Sequence, residues 1–168
     1  MLLTSENMVG KKAHPIDDVR GVRLVMIICN HCPYVIHIKV QLIAIANSYR
    51  SQGINTVAIS SNDIVNYPQD APDKMAALMA EWDFPFDAYL FDEQQSVARA
   101  YQAVCTPDLF LFDDSLQCVY RGRLDGSTPK NDIAVTGQDL RNALDDYLAS
   151  NAISEVQVPS IGCNIKWK

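Results

Sequence analysis

The sequence predicts an α/β fold, a three-layer α/β/α sandwich in which helices cover both faces of a central mixed sheet. Two observations predict it. Two apolar, β-branched runs, residues 22–28 and 54–60, flank a helical stripe, which is the pattern of a parallel βαβ unit. Farther along, two short apolar runs are separated by the polar residues 113–115, which predicts an antiparallel hairpin that extends the sheet.

The parallel unit lies in the first third of the chain. The first 20 residues are mixed and predict only a short, irregular β segment. Residues 22–28 are continuously apolar, as in a central strand that is buried on both faces. A helix is predicted from Pro33 to Tyr49, with apolar residues at positions 35, 38, 42, 45 and 49 on one stripe, and Gly53 is expected at its C′ position. Residues 54–60 predict a second buried strand.

The remaining elements complete the helical layers and the hairpin. Residues 61–73 form a polar loop, with Asp70 a candidate cap for a helix from about Pro72 to Trp82. Further elements are a strand at 88–91, a helix at 95–102, hairpin strands at 109–112 and 117–121, and a last helix at 138–149. Residues 151–168 have no clear period, so we expect a domain over 1–150 and a tail over 151–168 that packs on or near it.

Composition narrows the class of protein. The chain has 168 residues, of which 48% are hydrophobic, and this suits one domain with a substantial core. Its 20 acidic residues outnumber 14 basic ones, and the net charge of −6 argues against nucleic-acid binding. The N-terminus shows no secretory signal, and no apolar run reaches the ~18 residues of a membrane span. We therefore expect a cytoplasmic protein whose thiols rest reduced.

The most informative motif is Cys29-Asn30-His31-Cys32, which lies between the first strand and the first helix. A Cys-x-x-Cys pair at such a junction is a candidate redox-active dithiol. The first backbone N–H groups of a helix have no intrahelical partner, and the helix dipole is positive there. Both effects stabilise a thiolate, which is the form that attacks a disulfide.

Seven segments match one known pattern: CNHCPYV (29–35), SSND (60–63), YPQDAP (67–72), FDEQQSVARAY (91–101), CTPDLFLFD (105–113), YRGRLD (120–125) and IGCNIKWK (161–168). In these segments the chain resembles a group of bacterial thioredoxin-like proteins related to the redoxin/AhpC–TSA superfamily, often labelled thiol–disulfide isomerase/thioredoxin. The resemblance implies the thioredoxin fold and a thiol–disulfide oxidoreductase. Its redox group would be the Cys29–Cys32 disulfide, with no other cofactor and no metal.

The resemblance also implies a role for the residues around the dithiol. Cys29 is expected to be the nucleophile and the more exposed sulfur, with its pKa lowered by the helix terminus, and Cys32 the resolving thiol. Pro107 is expected in the cis form, facing the dithiol across a substrate groove. The backbone before this proline would offer strand-like hydrogen bonds to a substrate segment. The predicted groove residues are Asn30, Thr106 and Tyr34.

The histidine inside the motif predicts an oxidising dithiol. His31 is expected to donate a hydrogen bond to the thiolate or to stabilise it as a cation. Two departures from thioredoxin accompany it: Ile28 replaces the tryptophan before the first cysteine, and residues 22–28 contain no acid that assists deprotonation of the second thiol. Any proton acceptor must therefore come from elsewhere in the chain. The segment before residue 22 is also shorter than the β-hairpin expected in this group.

Three further cysteines and several aromatic residues complete the candidate site. Cys105 and Cys163 are candidates for a third redox thiol, although a structural role is favoured for Cys105 and expected for Cys118. The aromatic residues predicted at the rim of the groove are Tyr34, Tyr67, Trp82 and Trp167. Expected partners are protein or small-molecule disulfides and dithiols that bind transiently. No residue pattern predicts an oligomeric state.

Three other functions stay open. A peroxiredoxin-like thiol peroxidase would need a hydroxyl residue three positions before the first cysteine and a proline four before that, where this chain has Met26 and Val22. A metal-binding module would have only one closely spaced cysteine pair, whereas tetrahedral zinc sites often use two. Its ligands would be Cys29, Cys32, His31 and either Cys105 or Cys163. A redox-inactive scaffold that binds proteins would not require the intact dithiol.

Overall fold

A mixed sheet forms the centre of the computed structural model, which describes residues 23–83 and 85–168. The described strands are β1 (Arg23–Ile27), β2 (Asn55–Ser60), β3 (Ala88–Phe91), β4 (Cys105–Thr106), β5 (Asp108–Phe112), β6 (Cys118–Gly122) and β7 (Cys163–Asn164). The sheet has the order β3–β2–β1–β5–β6, while β4 and β7 pair separately. Strands β1, β2 and β3 are parallel, and β5 and β6 are antiparallel to their neighbours, so the predicted parallel unit and hairpin are confirmed.

Strand β1 lies in the middle of the sheet and is buried on both faces. Leu24 and Met26 belong to the larger hydrophobic cluster, whereas Val25 and Ile27 belong to a second cluster. Successive side chains of a strand point to opposite faces, so both sets of positions must be apolar. The continuous apolar run in the sequence is explained by this burial, and the predicted central strand is confirmed.

Helix α1 (Pro33–Arg50) begins directly after the Cys-x-x-Cys motif. Its buried residues include the whole predicted stripe: Val35, Ile38, Leu42, Ile45, Ala46 and Tyr49. The helix ends in a Schellman arrangement, in which the N–H of Gly53 donates to the carbonyl of Arg50 and the N–H of Ile54 donates to the carbonyl of Tyr49. Gly53 has a φ of +90°, which favours glycine, and its predicted C′ role is confirmed.

The other helices are α2 (Pro72–Glu81), α3 (Ser96–Ala100) and α4 (Gln138–Leu148). Helices α1, α2 and α4 pack around the larger cluster on one face of the sheet, and α3 and Ile165 pack on the other, which confirms the three-layer arrangement. The N-cap residue of α2 is Ala71 rather than Asp70. The predicted cap is wrong because the Asp70 carboxylate binds the Cys-x-x-Cys motif instead.

The tail after α4 runs back along β6 and ends beside β4. Gln157 accepts a hydrogen bond from the backbone N–H of Arg121 at 2.8 Å. Strand β7 pairs antiparallel with β4, with Cys163 opposite Thr106. A Cβ atom on Gly162 would lie 2.0 Å from the carbonyl oxygen of Thr106, so this close approach requires glycine.

Several shorter predictions are also settled. The predicted strand at 88–91 and the short helix within 95–102 are confirmed. The expectations about the irregular N-terminal β segment and the missing hairpin lie outside the described residues. Among residues 23–83 and 85–168, no helix is long and apolar enough to cross a membrane.

Candidate redox site

The Cys-x-x-Cys motif lies where β1 ends and α1 begins. Cys32 is the N-cap residue of α1, and Cys29 follows β1. The peptide bond between Thr106 and Pro107 is cis, as the resemblance implied. Cys29 Sγ lies 3.5 Å from Thr106 Oγ1, and Cys32 Sγ lies 3.1 Å from the Thr106 carbonyl oxygen. The fold therefore brings the two thiols and the cis-proline segment into one cluster.

The two thiols are buried, and each influences the pKa of the other. Cys29 is 1% exposed and Cys32 is 0% exposed. The hydrogen bond from Cys29 lowers the pKa of Cys32 to about 4, with help from Thr106 and from the Val35 N–H near the start of α1. The same bond, burial and the Asp70 carboxylate raise the pKa of Cys29 above its usual range. The expected exposed Cys29 with a lowered pKa is therefore not what the structure has, because Cys29 is buried and its interaction with Cys32 favours negative charge on Cys32.

Asp70 is a buried acid next to the Cys-x-x-Cys motif. It comes from the loop after β2, whereas the first strand contains no acid. It lies at the end of a single 3-10 turn, Pro68–Asp70, and is 0% exposed. Its Oδ1 accepts from the backbone N–H of Asn30 at 2.8 Å and of His31 at 3.4 Å, and its Oδ2 accepts from the Asn62 amide at 2.8 Å. One carboxylate thus holds the backbone of the motif and places negative charge near Cys29.

The His31 ring connects this carboxylate to the thiols. Its Nδ1 lies 2.7 Å from Asp70 Oδ2 and 4.0 Å from Cys29 Sγ. The ring stacks on Tyr67, with the two ring centroids 5.7 Å apart and 9° between the ring planes. The carboxylate and the tyrosine therefore fix the ring beside Cys29, where its Nδ1–H group can stabilise a thiolate.

Asp70 and Asn62 were not predicted as site residues. Both follow β2 in the chain, and the carboxyl ends of neighbouring parallel strands meet at one edge of a sheet. Applied to the polar segments SSND and YPQDAP, which follow β2, that rule could have predicted that their side chains lie beside the Cys-x-x-Cys motif. Asn62 also accepts from the Lys166 N–H at 2.9 Å, which joins this loop to the tail.

Of the residues predicted to line or rim the groove, Tyr34 lines one, whereas the polar atoms of Asn30 are bonded within the protein and Trp82 is buried. Both polar atoms of the Asn30 side chain are hydrogen-bonded within the protein at 3.0 Å, the oxygen to the Tyr89 hydroxyl. Tyr34 lies in a shallow groove beside Pro107. Other lining residues of this groove are Arg123, Ser127 and Ile161. Trp82 is 5% exposed and packs in the larger cluster, so its predicted place at the rim is wrong.

The strand edge predicted to bind a substrate is occupied by the tail of the same chain. Thr106 pairs with Cys163, and Cys105 pairs with Asn164. Thr106 is also 2% exposed, so its backbone does not offer hydrogen bonds to a second chain in this structure. The prediction that this edge is open to a substrate is wrong because β7 pairs with it. The sequence did not indicate this pairing, since the tail has no periodic pattern and β7 is distant from β4 in the chain.

The other three thiols have unequal surroundings. Cys105 is buried, and burial raises its pKa to about 12, which favours the structural interpretation. Cys118 is exposed on β6. Cys163 is half-buried and packs against the hydrophobic cluster that contains Cys29 and Cys32. Burial and the contact with Cys32 raise the pKa of Cys163 to about 11.

Among the described residues, one group of side chains has the spacing of metal ligands. The ligand atoms of Cys29, His31 and Asp70 all lie within 4.8 Å of one another. Thiolate, imidazole and carboxylate are ligands that zinc accepts. The set differs from the predicted one because Asp70 takes the place of further cysteines. Both Asp70 oxygens already accept N–H donors, so a metal ion would have to displace those bonds.

The mixed sheet, the dithiol before α1 and the cis proline define a thioredoxin-like protein. The AhpC/TSA family matches residues 4–121, and the chain belongs to this family. The resemblance to the redoxin superfamily is thereby confirmed. A comparison with curated proteins gives no significant match. Family membership and the dithiol support a redox function in general.

Several solved structures are similar to this chain. An uncharacterized conserved protein from Geobacillus kaustophilus is 44% identical, with a TM-score of 0.91 over 100% of this chain and 93% of that chain. A hypothetical protein from Sinorhizobium meliloti is 39% identical, with a TM-score of 0.91 over 100% and 95%. A thioredoxin-like protein in the oxidized form is 19% identical, with a TM-score of 0.69 over 89% and 93%, and this likeness shows the fold alone.

Proposed function

We propose that the protein is a thiol–disulfide oxidoreductase. Cys29 attacks a substrate disulfide RS–SR′, forms a Cys29–SR mixed disulfide and releases R′S⁻. Cys32 then attacks the Cys29 sulfur, releases RS⁻ and closes the Cys29–Cys32 disulfide. The substrate gains two electrons and the protein loses two, and the reverse sequence oxidises a dithiol substrate.

The observation that carries this proposal is that the two buried sulfurs meet at one residue, Thr106. Cys29 Sγ lies 3.5 Å from its hydroxyl oxygen, and Cys32 Sγ lies 3.1 Å from its carbonyl oxygen. Reacting atoms that are held in contact gain rate from proximity and orientation. The lowered pKa of Cys32, about 4, keeps it in the thiolate form that resolves a mixed disulfide.

His31 and Asp70 act on the sulfur of Cys29. Cys29 must be a thiolate when it attacks, and the His31 Nδ1–H group, 4.0 Å from Cys29 Sγ, is placed to stabilise that negative charge. Asp70 holds the ring in that orientation through the 2.7 Å contact with the same nitrogen. The His31 side chain is 26% exposed whereas Cys29 is buried, so we expect a substrate disulfide to approach Cys29 from the side of this ring.

The same geometry favours small substrates over extended peptides. The Thr106 edge is paired with the tail, so an incoming peptide strand would first have to displace β7. The shallow groove between Tyr34 and Pro107 remains beside the site for a small disulfide or an exposed loop. We expect transient partners of this kind, no cofactor beyond the disulfide itself, and a cytoplasmic location.

The test is the midpoint potential of the dithiol in a glutathione series, measured on the wild type, Cys29→Ser and Cys32→Ser. We expect a two-electron transition in the wild type that Cys32→Ser lacks, and that Cys29→Ser lacks once Cys163 is also replaced by serine. Cys118→Ser is the matched control, because this exposed thiol on β6 lies outside the thiol cluster. A wild-type protein with no such transition would refute the proposal.

The same samples separate the other functions. Bound zinc or iron that is lost in Cys29→Ser and in Asp70→Asn would indicate a metal site instead. Rapid consumption of a hydroperoxide that requires Cys29 would indicate a thiol peroxidase. Met26, where a peroxiredoxin carries a hydroxyl, is fully buried and apolar, so we expect little of this activity.

A further inference from the structure

Among the described residues, Cys32 has two thiol neighbours, and the proposed reaction uses only one of them. The pairing of β4 with β7 sets Cys163 opposite Thr106, whose carbonyl oxygen lies 3.1 Å from the Cys32 sulfur. Cys163 also packs against the hydrophobic cluster that contains Cys29 and Cys32, beside Tyr34 at the start of α1. Three sulfurs thus meet at the start of one helix.

The tail fixes Cys163 in this place from both sides. Gly162 approaches Thr106 so closely that an added Cβ would lie 2.0 Å from the carbonyl oxygen. On the other side, Ile165 is 3% exposed within the second hydrophobic cluster. The backbone groups of Lys166 are hydrogen-bonded to Asn62, Asp63 and Gln95. A thiol held in this way acts on its neighbour at a high effective concentration.

Cys163 is also the most accessible of the three sulfurs. Cys29 and Cys32 are 1% and 0% exposed, whereas Cys163 is half-buried. Thiol–disulfide exchange depends on access to the sulfur that is attacked. A reductant in solution therefore reaches Cys163 more easily than it reaches either member of a Cys29–Cys32 disulfide.

We propose that Cys163 is a third redox thiol that carries the disulfide outward, an inference that rests on the proposed function. The Cys163 thiolate attacks the Cys32 sulfur, the Cys29–Cys32 bond breaks, and a Cys32–Cys163 disulfide forms with Cys29 as the leaving thiolate. An external dithiol then attacks Cys163 and releases Cys32 as a thiolate. Its second thiol closes onto the first, which frees Cys163, so the dithiol is oxidised and the protein is fully reduced.

The charges around the sulfurs favour this order of steps. In the reduced protein, burial and the contact with Cys32 raise the pKa of Cys163 to about 11. Once Cys32 is bonded to Cys29 it carries no charge, so its effect on the pKa of Cys163 disappears. Lys166 and the Tyr34 N–H continue to favour the Cys163 thiolate. Cys163 is therefore a better nucleophile when there is a disulfide for it to attack.

The decisive variant is Cys29→Ser, in which Cys32 keeps only Cys163 as a partner. Cleavage after Lys and Arg places Cys32 on the peptide 24–39 and Cys163 on the peptide 142–166. After treatment with oxidised glutathione and alkylation of free thiols, we expect these two peptides joined by a disulfide in the mass spectrum. Cys29→Ala repeats the test in case serine disturbs the buried site. The double variant Cys29→Ser/Cys163→Ser should instead keep glutathione on Cys32.

A kinetic measurement uses the otherwise intact protein. Cys163→Ser should still form the Cys29–Cys32 disulfide, but its reduction by dithiothreitol should be about tenfold slower than in the wild type. Cys118→Ser should match the wild type.

Two results would overturn the relay and leave the proposed function standing. One is glutathione on Cys32 with Cys163 free in both Cys29 variants, and the other is a wild-type reduction rate in Cys163→Ser. A wild type that never forms the Cys29–Cys32 disulfide would overturn the proposed function itself.

Discussion

Replacing Asp70 with asparagine perturbs the electrostatic centre of the site while keeping its shape. The hydrogen bonds described for the Asp70 oxygens come from donors: the backbone N–H groups of Asn30 and His31, the Asn62 amide and the His31 ring Nδ1–H. An asparagine oxygen can keep the two backbone bonds. Its NH₂ group then faces the NH₂ group of Asn62, so a donor meets a donor.

The cost follows from these contacts. Asn62 cannot relieve the conflict by turning its amide over, because its oxygen accepts the Lys166 N–H at 2.9 Å. One or two buried donors are left without an acceptor, at ~1–3 kcal/mol each. We expect Asp70→Asn to lower the free energy of unfolding of the reduced protein by about 2–4 kcal/mol, and its urea midpoint by roughly 1–2 M.

Urea unfolding followed by tryptophan fluorescence under reducing conditions measures this change. Asp73→Asn is the matched control, because Asp73 is exposed, pairs with its neighbour Lys74, and should leave the midpoint unchanged. Loss of the charge should also lower the pKa of Cys29, since Asp70 helps to raise it, and alkylation of Cys29 at fixed pH should speed up. An Asp70→Asn protein with the wild-type midpoint and alkylation rate would refute this reasoning.

Three further changes probe the surroundings of the carboxylate. His31→Ala should raise the pKa of Cys29 and lower the reduction potential by about 30 mV, the equivalent of one hydrogen bond, and an unchanged thiolate titration and potential would contradict this. Gly162→Ala should displace the tail and abolish the Cys32–Cys163 disulfide in the Cys29→Ser background. Gly126→Ala is its control, because the added Cβ would meet only the Arg123 side chain at 3.6 Å. The pKa of Cys32 falls from 9.0 to about 4 on folding, so the unfolded chain binds more protons between these pH values. The urea midpoint of the reduced protein should therefore rise with pH across this window, and a slope equally steep in Cys32→Ser would disprove the assignment.

The central elements of the fold follow from local sequence. Residues 24–27 are apolar without alternation because β1 is buried on both faces, and this pattern is enough to predict a central strand. The stripe of α1 and the C′ glycine at position 53 are equally local, since each depends on a few neighbouring residues. Patterns of this range predicted the helices and the sheet strands close to their observed bounds.

Asp70 shows where local patterns mislead. An acid shortly before Pro72 has the sequence features of a helix cap, and its neighbours do not distinguish a cap from a buried partner of the motif. The difference arises because β1 and β2 are adjacent and parallel, which places the loop after β2 beside the motif after β1. The position of the tail could not be predicted for a similar reason. Cys163 pairs with Thr106, and no periodic pattern in either segment indicates this pairing.

The sequence by itself determined that two cysteines with redox spacing follow a buried strand and begin a helix. Only the tertiary structure decided which acid faces the pair, which segment covers it, and which third thiol lies beside it. The pKa of a group depends on burial and on charges near it in space. Residues 29–32, 70, 106 and 163 are far apart in the chain, and the fold alone brings them together.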